Sequence, residues 1–327
     1  MSKSQAVIIS NYGGPEVLEI KDVLLKSPGP NEVLIEQVAI GLNFIDVYHR
    51  TGLYPVNLPS GMGSEGSGII KELGANIQNF KVGDRVAYAG TPLGAYSSQR
   101  LLNTKNLLIV PPSVDLDIAA TLMIKGLTAY YLLYQTYPVQ KGETILFHAA
   151  AGGLGQIFCQ WAKSLGCTVI GTVGSYKKVN IAKNNGCDHV INYSKEDFAQ
   201  RVLEITDGIG VPVVYDGVGK NTFEGSLESL KVRGTMVSFG NASGPLTDIS
   251  IPKLIQPKGL YITRPAMHHY LGQREELEIG AKVLFEKIEN GQVKIEIFKK
   301  YKLEQVAQAH TDLENRRING PSVIVPN

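Results

Sequence analysis

The chain lacks most of what would mark a secreted, metal-clustered or nucleic-acid-binding protein. It has three cysteines, Cys159, Cys167 and Cys187, an odd number with no paired spacing. That excludes a disulfide framework and reads as buried thiols of a cytoplasmic protein. The formal net charge is only +2, so nothing argues for an electrostatic nucleic-acid or membrane partner. No apolar run approaches the roughly 20 residues of a membrane span. Met1-Ser-Lys-Ser-Gln5 leads at once into an apolar strand, which leaves no room for a signal peptide. There is no repeat and no low-complexity tract. At 327 residues, with an ordinary globular composition, the chain can hold two domains.

What is present centres on Thr144-Ile-Leu-Phe-His-Ala-Ala-Ala-Gly-Gly-Leu-Gly155. The apolar run Ile145 to Phe147 reads as a buried strand, and a small-residue turn follows. Leu154, Ile157, Phe158, Trp161 and Leu165 then recur at helical spacing. Strand, glycine turn and helix form the context of a dinucleotide fingerprint, here on Ala150, Gly152 and Gly155. The residues beyond support it. Strands are expected at Val169–Val173, His189–Asn192, Val211–Tyr215, Thr235–Gly240 and Leu260–Thr263. Helices are expected at Val179–Asn185, Phe198–Ile205 and Thr222–Leu230. That alternation predicts a doubly wound parallel sheet, whose ligands sit at the carboxyl ends of its strands.

A local absence speaks to the coenzyme. An acidic residue about 20 positions past the glycines would hold a ribose 2′-hydroxyl. The chain instead reads Thr172-Val-Gly-Ser-Tyr-Lys-Lys178, with no carboxylate. A hydroxyl and two lysines suit a 2′-phosphate, so NADPH is expected.

Before residue 120 the texture changes to short strands between Gly and Pro turns: Ala6–Ser10, Val33–Ile40, Ser67–Glu72, Arg85–Tyr88 and Tyr96–Leu102. This predicts an irregular antiparallel β-barrel. Helices are expected at Phe44–Arg50, Leu116–Met123, Thr128–Tyr134, Glu275–Glu289 and Glu304–Arg316. A last strand, Val323–Val325, has only the first domain's sheet to join. The expected division is a discontinuous catalytic domain, 1–124 with 265–327, around a nucleotide-binding domain, 125–264.

Several stretches carry a family resemblance over the full length. They are Gly41-Leu-Asn-Phe-Ile-Asp46, Tyr48-His-Arg-Thr-Gly-Leu-Tyr-Pro55, Gly83-Asp-Arg-Val86, Gly94-Ala-Tyr-Ser97 and Lys125-Gly-Leu-Thr128. Further on come His148-Ala-Ala-Ala-Gly-Gly-Leu-Gly155, Val214-Tyr-Asp-Gly-Val-Gly219, Ser238-Phe-Gly-Asn241 and Gly259-Leu-Tyr-Ile-Thr-Arg-Pro265. With these the chain resembles the medium-chain dehydrogenases/reductases, and within them the quinone oxidoreductases related to zeta-crystallin, more the bacterial than the mammalian kind. The resemblance implies an α/β architecture: a GroES-like β-barrel catalytic domain plus a Rossmann domain. It also implies a homodimer.

Zinc alcohol dehydrogenases of that superfamily use an early cysteine, a histidine in a Gly-His-Glu triplet and a later cysteine. Here the positions read Asn43 and Gly63-Ser-Glu65, and no cysteine precedes residue 159. An amide and a hydroxyl do not replace thiolate and imidazole ligands, so no metal is expected. His268 and His269 are adjacent and do not share a face. Without a metal, the chemistry that remains is reduction of an electron-poor acceptor such as a quinone, stacked on nicotinamide and hydrogen-bonded where it gains charge.

Asn43 is expected to donate to that oxygen, with Asp46, Tyr48 and Tyr54 around the pocket. Asp46 stands equally as a brace for the helix beginning at Phe44. Gly152, Gly153 and Leu154 should offer N–H groups to the pyrophosphate. By resemblance, Thr128 lies near the nicotinamide ribose, and Gly174, Lys178 and Tyr193 at the adenosine phosphate. Gly217, where relatives often carry serine, is expected to make only a backbone contact, while Phe239, Gly240 and Asn241 lie beside the nicotinamide. Arg316, or its neighbour Arg317, reaches the coenzyme. Two other functions stay open: NADPH-dependent reduction of activated C=C bonds in enones or alkenals, and a non-enzymatic crystallin or RNA-binding role.

Overall fold

The computed structural model describes residues 2–247 and 249–326. It divides into two compact units: Met1–Leu127 with Arg274–Glu289 and Ile295–Asn327, and Thr128–Gln273 with Asn290–Lys294. The chain opens with β1 (Ser2–Ile9), β2 (Glu19–Leu25), β3 (Glu32–Gly41), α1 (Phe44–Thr51), β4 (Ser60–Gly61) and β5 (Glu65–Leu73). It continues through β6 (Arg85–Ala89), β7 (Gln99–Asn103), β8 (Leu107–Ile109) and α2 (Leu116–Tyr131). Next come β9 (Thr144–Phe147), α3 (Gly153–Ser164), β10 (Thr168–Val173), α4 (Val179–Asn184), β11 (His189–Asn192) and α5 (Phe198–Ile205). β12 (Val211–Asp216), α6 (Phe223–Ser229), β13 (Leu230–Ser238), β14 (Tyr261–Thr263) and α7 (Met267–Tyr270) follow. The return is α8 (Arg274–Glu289), β15 (Lys299–Lys302), α9 (Val306–Glu314) and β16 (Ser322–Val325).

In the first unit β3 is the hub. It pairs antiparallel with β5, β7 and β16 within a seven-stranded sheet, β15-β16-β3-β5-β6-β8 with β7 alongside. The sheet β2-β1-β4 completes the strand layer. Val7, Ile9, Val33, Ile35, Ile40, Tyr96, Tyr301 and Leu303 form a common core. The final strand joins β3 through Val323 and Gly41, as its isolation in the sequence implied. β2 was not expected, because most of its residues face solvent and leave no alternation to read.

Helix α2 differs from expectation. The sequence predicts two helices, Leu116–Met123 and Thr128–Tyr134, but Leu116–Tyr131 is one continuous helix. Gly126 is there for close packing: a Cβ on it would lie 2.7 Å from the Leu284 methyls of α8. With its π-helical extension, Leu116–Thr136 is long and apolar enough to cross a membrane, which the sequence reading had denied, and 78% of its apolar window is buried inside the protein. A buried core helix meets the same test.

The second unit holds a six-stranded parallel sheet, β11-β10-β9-β12-β13-β14. Strand order reverses between β9 and β12, the point where doubly wound sheets take ligands. All six residues of β12 are buried, as a central parallel strand requires. Pro212 cannot donate to the ladder, and the register with β13 shifts between Val211 and Val213 around it.

Candidate active site

In the first unit the site grows from the start of α1. Asn43 precedes the helix in extended conformation, and its N–H donates to Asp46 Oδ2 at 3.1 Å. This is the reciprocal half of a capping box. The Asn43 side chain turns elsewhere. Lys125 Nζ donates to its Oδ1 at 2.6 Å, and its Nδ2 donates to Glu65 Oε1 at 2.7 Å. Lys125 also reaches Leu42 O and Glu65 Oε1, both at 3.2 Å, while Glu65 Oε2 accepts from Ile124 N–H at 2.6 Å. All three side chains are buried. Glu65 fits only because Gly41 has no side chain, since a Cβ there would lie 2.1 Å from Oε1.

Of the two readings left open for Asp46, its surroundings fit the brace. It is fully buried, and its oxygens accept from Asn43 N–H, from Ser64 Oγ at 2.6 Å and from Tyr96 Oη at 2.9 Å. Burial pushes its carboxyl up to about 6, against the pull of the Ser64 and Tyr96 hydroxyls. Tyr48 and Tyr54 pack edge to face with ring centroids 5.1 Å apart, and Tyr54 N–H donates to Tyr48 O. Tyr48 is buried and Tyr54 half-buried.

From Asp46 the hydrogen bonds continue through buried groups. Tyr96 Oη lies 3.1 Å from His310 Nε2, and Arg50 Nη1 lies 3.1 Å from His310 Nδ1. Arg50 grips Glu314 with two bonds of 3.0 and 2.8 Å. Because guanidinium only donates, Nδ1 accepts, Nε2–H donates to Tyr96, and the Tyr96 hydroxyl donates to Asp46. Burial, helped by the Arg50 charge, holds His310 down at about 3. The chain thus fastens α1 to α9.

In the second unit the glycine turn links β9 to the twelve-residue helix α3, with Gly152 as N-cap. The first N–H groups of a helix have no partner inside it and attract anions. Gly152, Gly153 and Leu154 are half-buried. A Cβ on Gly155 would sit 2.5 Å from Ala149 O, so this glycine serves tight packing of helix on turn. At the end of β10, Gly174 lies under Tyr193: a Cβ on it would be 2.8 Å from the Tyr193 hydroxyl. Lys178 follows, its N–H donating to Ser175 O. Gly217, Phe239 and Gly240 come together where β12 and β13 end. The Phe239 ring fills the space that a side chain on Gly217 would need, and Gly240 lies against the Gly217 backbone. Asn241 O accepts from Gly244 N–H in the same loop. Thr128 is buried near the end of α2.

Sequence reasoning missed two sets of residues. Lys125 and Glu65 were visible only as letters in motifs, since their partner lies 82 and 22 positions away. The other is a buried network at the switch point. His148 Nδ1 meets Thr172 Oγ1 at 2.8 Å and Nε2 meets Ser226 Oγ at 2.9 Å. Ser226 and Thr222 hydroxyls donate to Asp216 Oδ2, and the N–H groups of Val218 and Gly219 donate to Oδ1. This ties the glycine turn to the loop carrying Gly217. Arg317, one of two candidates for reaching the coenzyme, has its Nη1 3.5 Å from Asp312 Oδ1. Arg316 beside it is exposed and sits in the left-handed backbone region, φ 58°.

The residues at the superfamily's zinc positions do not fit a divalent cation. Ser64 Oγ is committed to Asp46, and a lysine ammonium occupies the Asn43 oxygen. Among the described residues no group of three or more His, Cys, Asp or Glu could hold a metal. His268 and His269 meet edge to face with ring centroids 4.2 Å apart, and both residues are exposed.

Residues 29–136 match the alcohol dehydrogenase GroES-like domain and 153–284 the zinc-binding dehydrogenase domain. The chain is 52% identical over 316 residues to a quinone oxidoreductase of Pseudomonas aeruginosa, covering 96% of this chain and 97% of that one. It is 43% identical to a 2-haloacrylate reductase of a Burkholderia species, over 98% of both. The crystal structure of Escherichia coli quinone oxidoreductase complexed with NADPH superposes with a TM-score of 0.97 at 45% identity, covering 98% of this chain and all of that one. With a GroES-like unit, a Rossmann sheet and these relatives, the chain belongs to the quinone oxidoreductase family of the medium-chain dehydrogenases/reductases.

Proposed function

We propose that this protein is a zinc-independent NADPH:quinone oxidoreductase, acting in the cytoplasm as a homodimer. The observation that carries the coenzyme is the carboxyl end of β10, where Gly174 packs under Tyr193, Lys178 follows four residues on, and residues 174–178 include no acid. In this reading Lys178 and Tyr193 hold the 2′-phosphate, and the N–H groups of Gly152, Gly153 and Leu154 face the pyrophosphate. Thr128 binds the nicotinamide ribose, Gly217, Phe239, Gly240 and Asn241 flank the ring, and Arg316 reaches the coenzyme while Arg317 pairs with Asp312. Bound NADPH supplies hydride. Asn43 donates an amide hydrogen to the quinone oxygen that gains charge, and Tyr48 and Tyr54 wall the acceptor. Asp46 positions α1 and Asn43 without touching substrate.

The relationship to a 2-haloacrylate reductase supports a second reading, reduction of an activated C=C bond with the same coenzyme. A side-by-side assay separates the two. NADPH oxidation should be at least tenfold faster with 1,4-benzoquinone than with 2-chloroacrylate or a simple enone. The reverse order would promote the second reading.

A further inference from the structure

The two ends of an asparagine amide have the same shape, yet only one of them can donate. A substrate oxygen that gains charge needs the nitrogen. At Asn43 the neighbours choose. An ammonium can only donate and a carboxylate can only accept. Lys125 Nζ faces Oδ1 at 2.6 Å and Glu65 Oε1 faces Nδ2 at 2.7 Å. Turning the amide over would set N–H against ammonium and carbonyl against carboxylate.

The neighbours are themselves fixed. The three ammonium hydrogens of Lys125 meet three acceptors, Leu42 O, Asn43 Oδ1 and Glu65 Oε1. Glu65 Oε2 is taken by Ile124 N–H, and the carboxylate lies on Gly41, where any side chain would displace it. Among the described residues these bonds use one of the two Asn43 amide hydrogens and leave the other.

We infer that Lys125 and Glu65 are positioning residues that lock the Asn43 amide with its nitrogen as the donor, and that the ammonium on its oxygen strengthens that donor. A charge-assisted bond to the carbonyl draws electrons from the amide nitrogen, as in any polarised hydrogen-bond chain. This rests on the proposal that Asn43 donates to the reduced acceptor.

The test uses the full-length protein with NADPH and 1,4-benzoquinone, and a double-mutant cycle. Asn43→Ala should lower kcat by at least about tenfold, toward the roughly hundred- to thousandfold seen when one oxyanion donor is lost, while the Kd for NADPH stays within about twofold. Lys125→Met and Glu65→Gln should each lower kcat about tenfold. Lys125→Arg, which still donates, should recover part of the loss. In the Asn43→Ala background neither change should lower kcat further, because both act through the amide. Glu65→Gln has the size of the native side chain, so it keeps the test open if Lys125→Met fails to fold. A full Lys125 or Glu65 effect persisting without Asn43, or no effect of either in its presence, overturns the lock and leaves the donor reading intact. An unchanged kcat in Asn43→Ala removes the donor reading itself.

Discussion

At the scale of residues, two buried groups on either side of Tyr96 titrate in opposite directions. Asp46 is raised from 3.8 to about 6 by burial, so its contribution to stability is present below 3.8 and is lost as pH rises through 6. His310 is lowered from 6.5 to about 3, so its contribution is present above 6.5 and is lost as pH falls toward 3. Between pH 7 and 5 the histidine alone should cost about 2 kcal/mol, partly offset by Asp46. Glutamine at 310 can accept from Arg50 and donate to Tyr96 without titrating. His310→Gln should therefore lose about 2 kcal/mol less than the native protein between those pH values, measured as urea unfolding free energies. Equal losses would show that His310 is not the group responsible. Asn43 was legible in the sequence because a motif flags it. Its partners were not, since hydrogen bonds across distant strands leave no local spacing. Asp46 was ambiguous for a physical reason: a carboxylate three residues after an N-cap serves a cap or a pocket equally well until its acceptor sites are counted.

At the scale of elements, the Rossmann strands were legible because parallel strands buried on both faces are mostly apolar, as β9, β10 and β12 are. β2 and β15 were not, because each is mostly exposed; in β15 only Tyr301 is buried. The two helices expected at Leu116–Met123 and Thr128–Tyr134 are one, and Gly126 lies inside it. Glycine there signals a helix crossing tightly over Leu284, not a helix end. Gly126→Ala should thus destabilise, by about 1–3 kcal/mol of overpacking, although alanine is the better helix former by about 1 kcal/mol. Thermal or chemical denaturation decides it, and a stabilised variant would contradict the packing account.

At the scale of the whole molecule, β14 closes one edge of the parallel sheet with Tyr261 62% and Ile262 37% exposed. An open strand edge with apolar side chains invites pairing with another copy. The proposed homodimer should sediment at twice the monomer mass, and Ile262→Lys should shift it toward monomer. A native protein that sediments as a monomer at micromolar concentration would remove the dimer from the account. None of this bears on the central claim, which is chemical: reduced phosphorylated coenzyme, a quinone and no metal. The most direct test is the ratio of kcat/KM for NADPH over NADH, with 1,4-benzoquinone as acceptor and chelator-treated protein. The account predicts a ratio above about ten, unaffected by the chelator and abolished in Lys178→Ala, since one phosphate–lysine contact is worth more than 1 kcal/mol. A ratio near one in the native protein, or activity lost on chelation and restored by zinc, would contradict it.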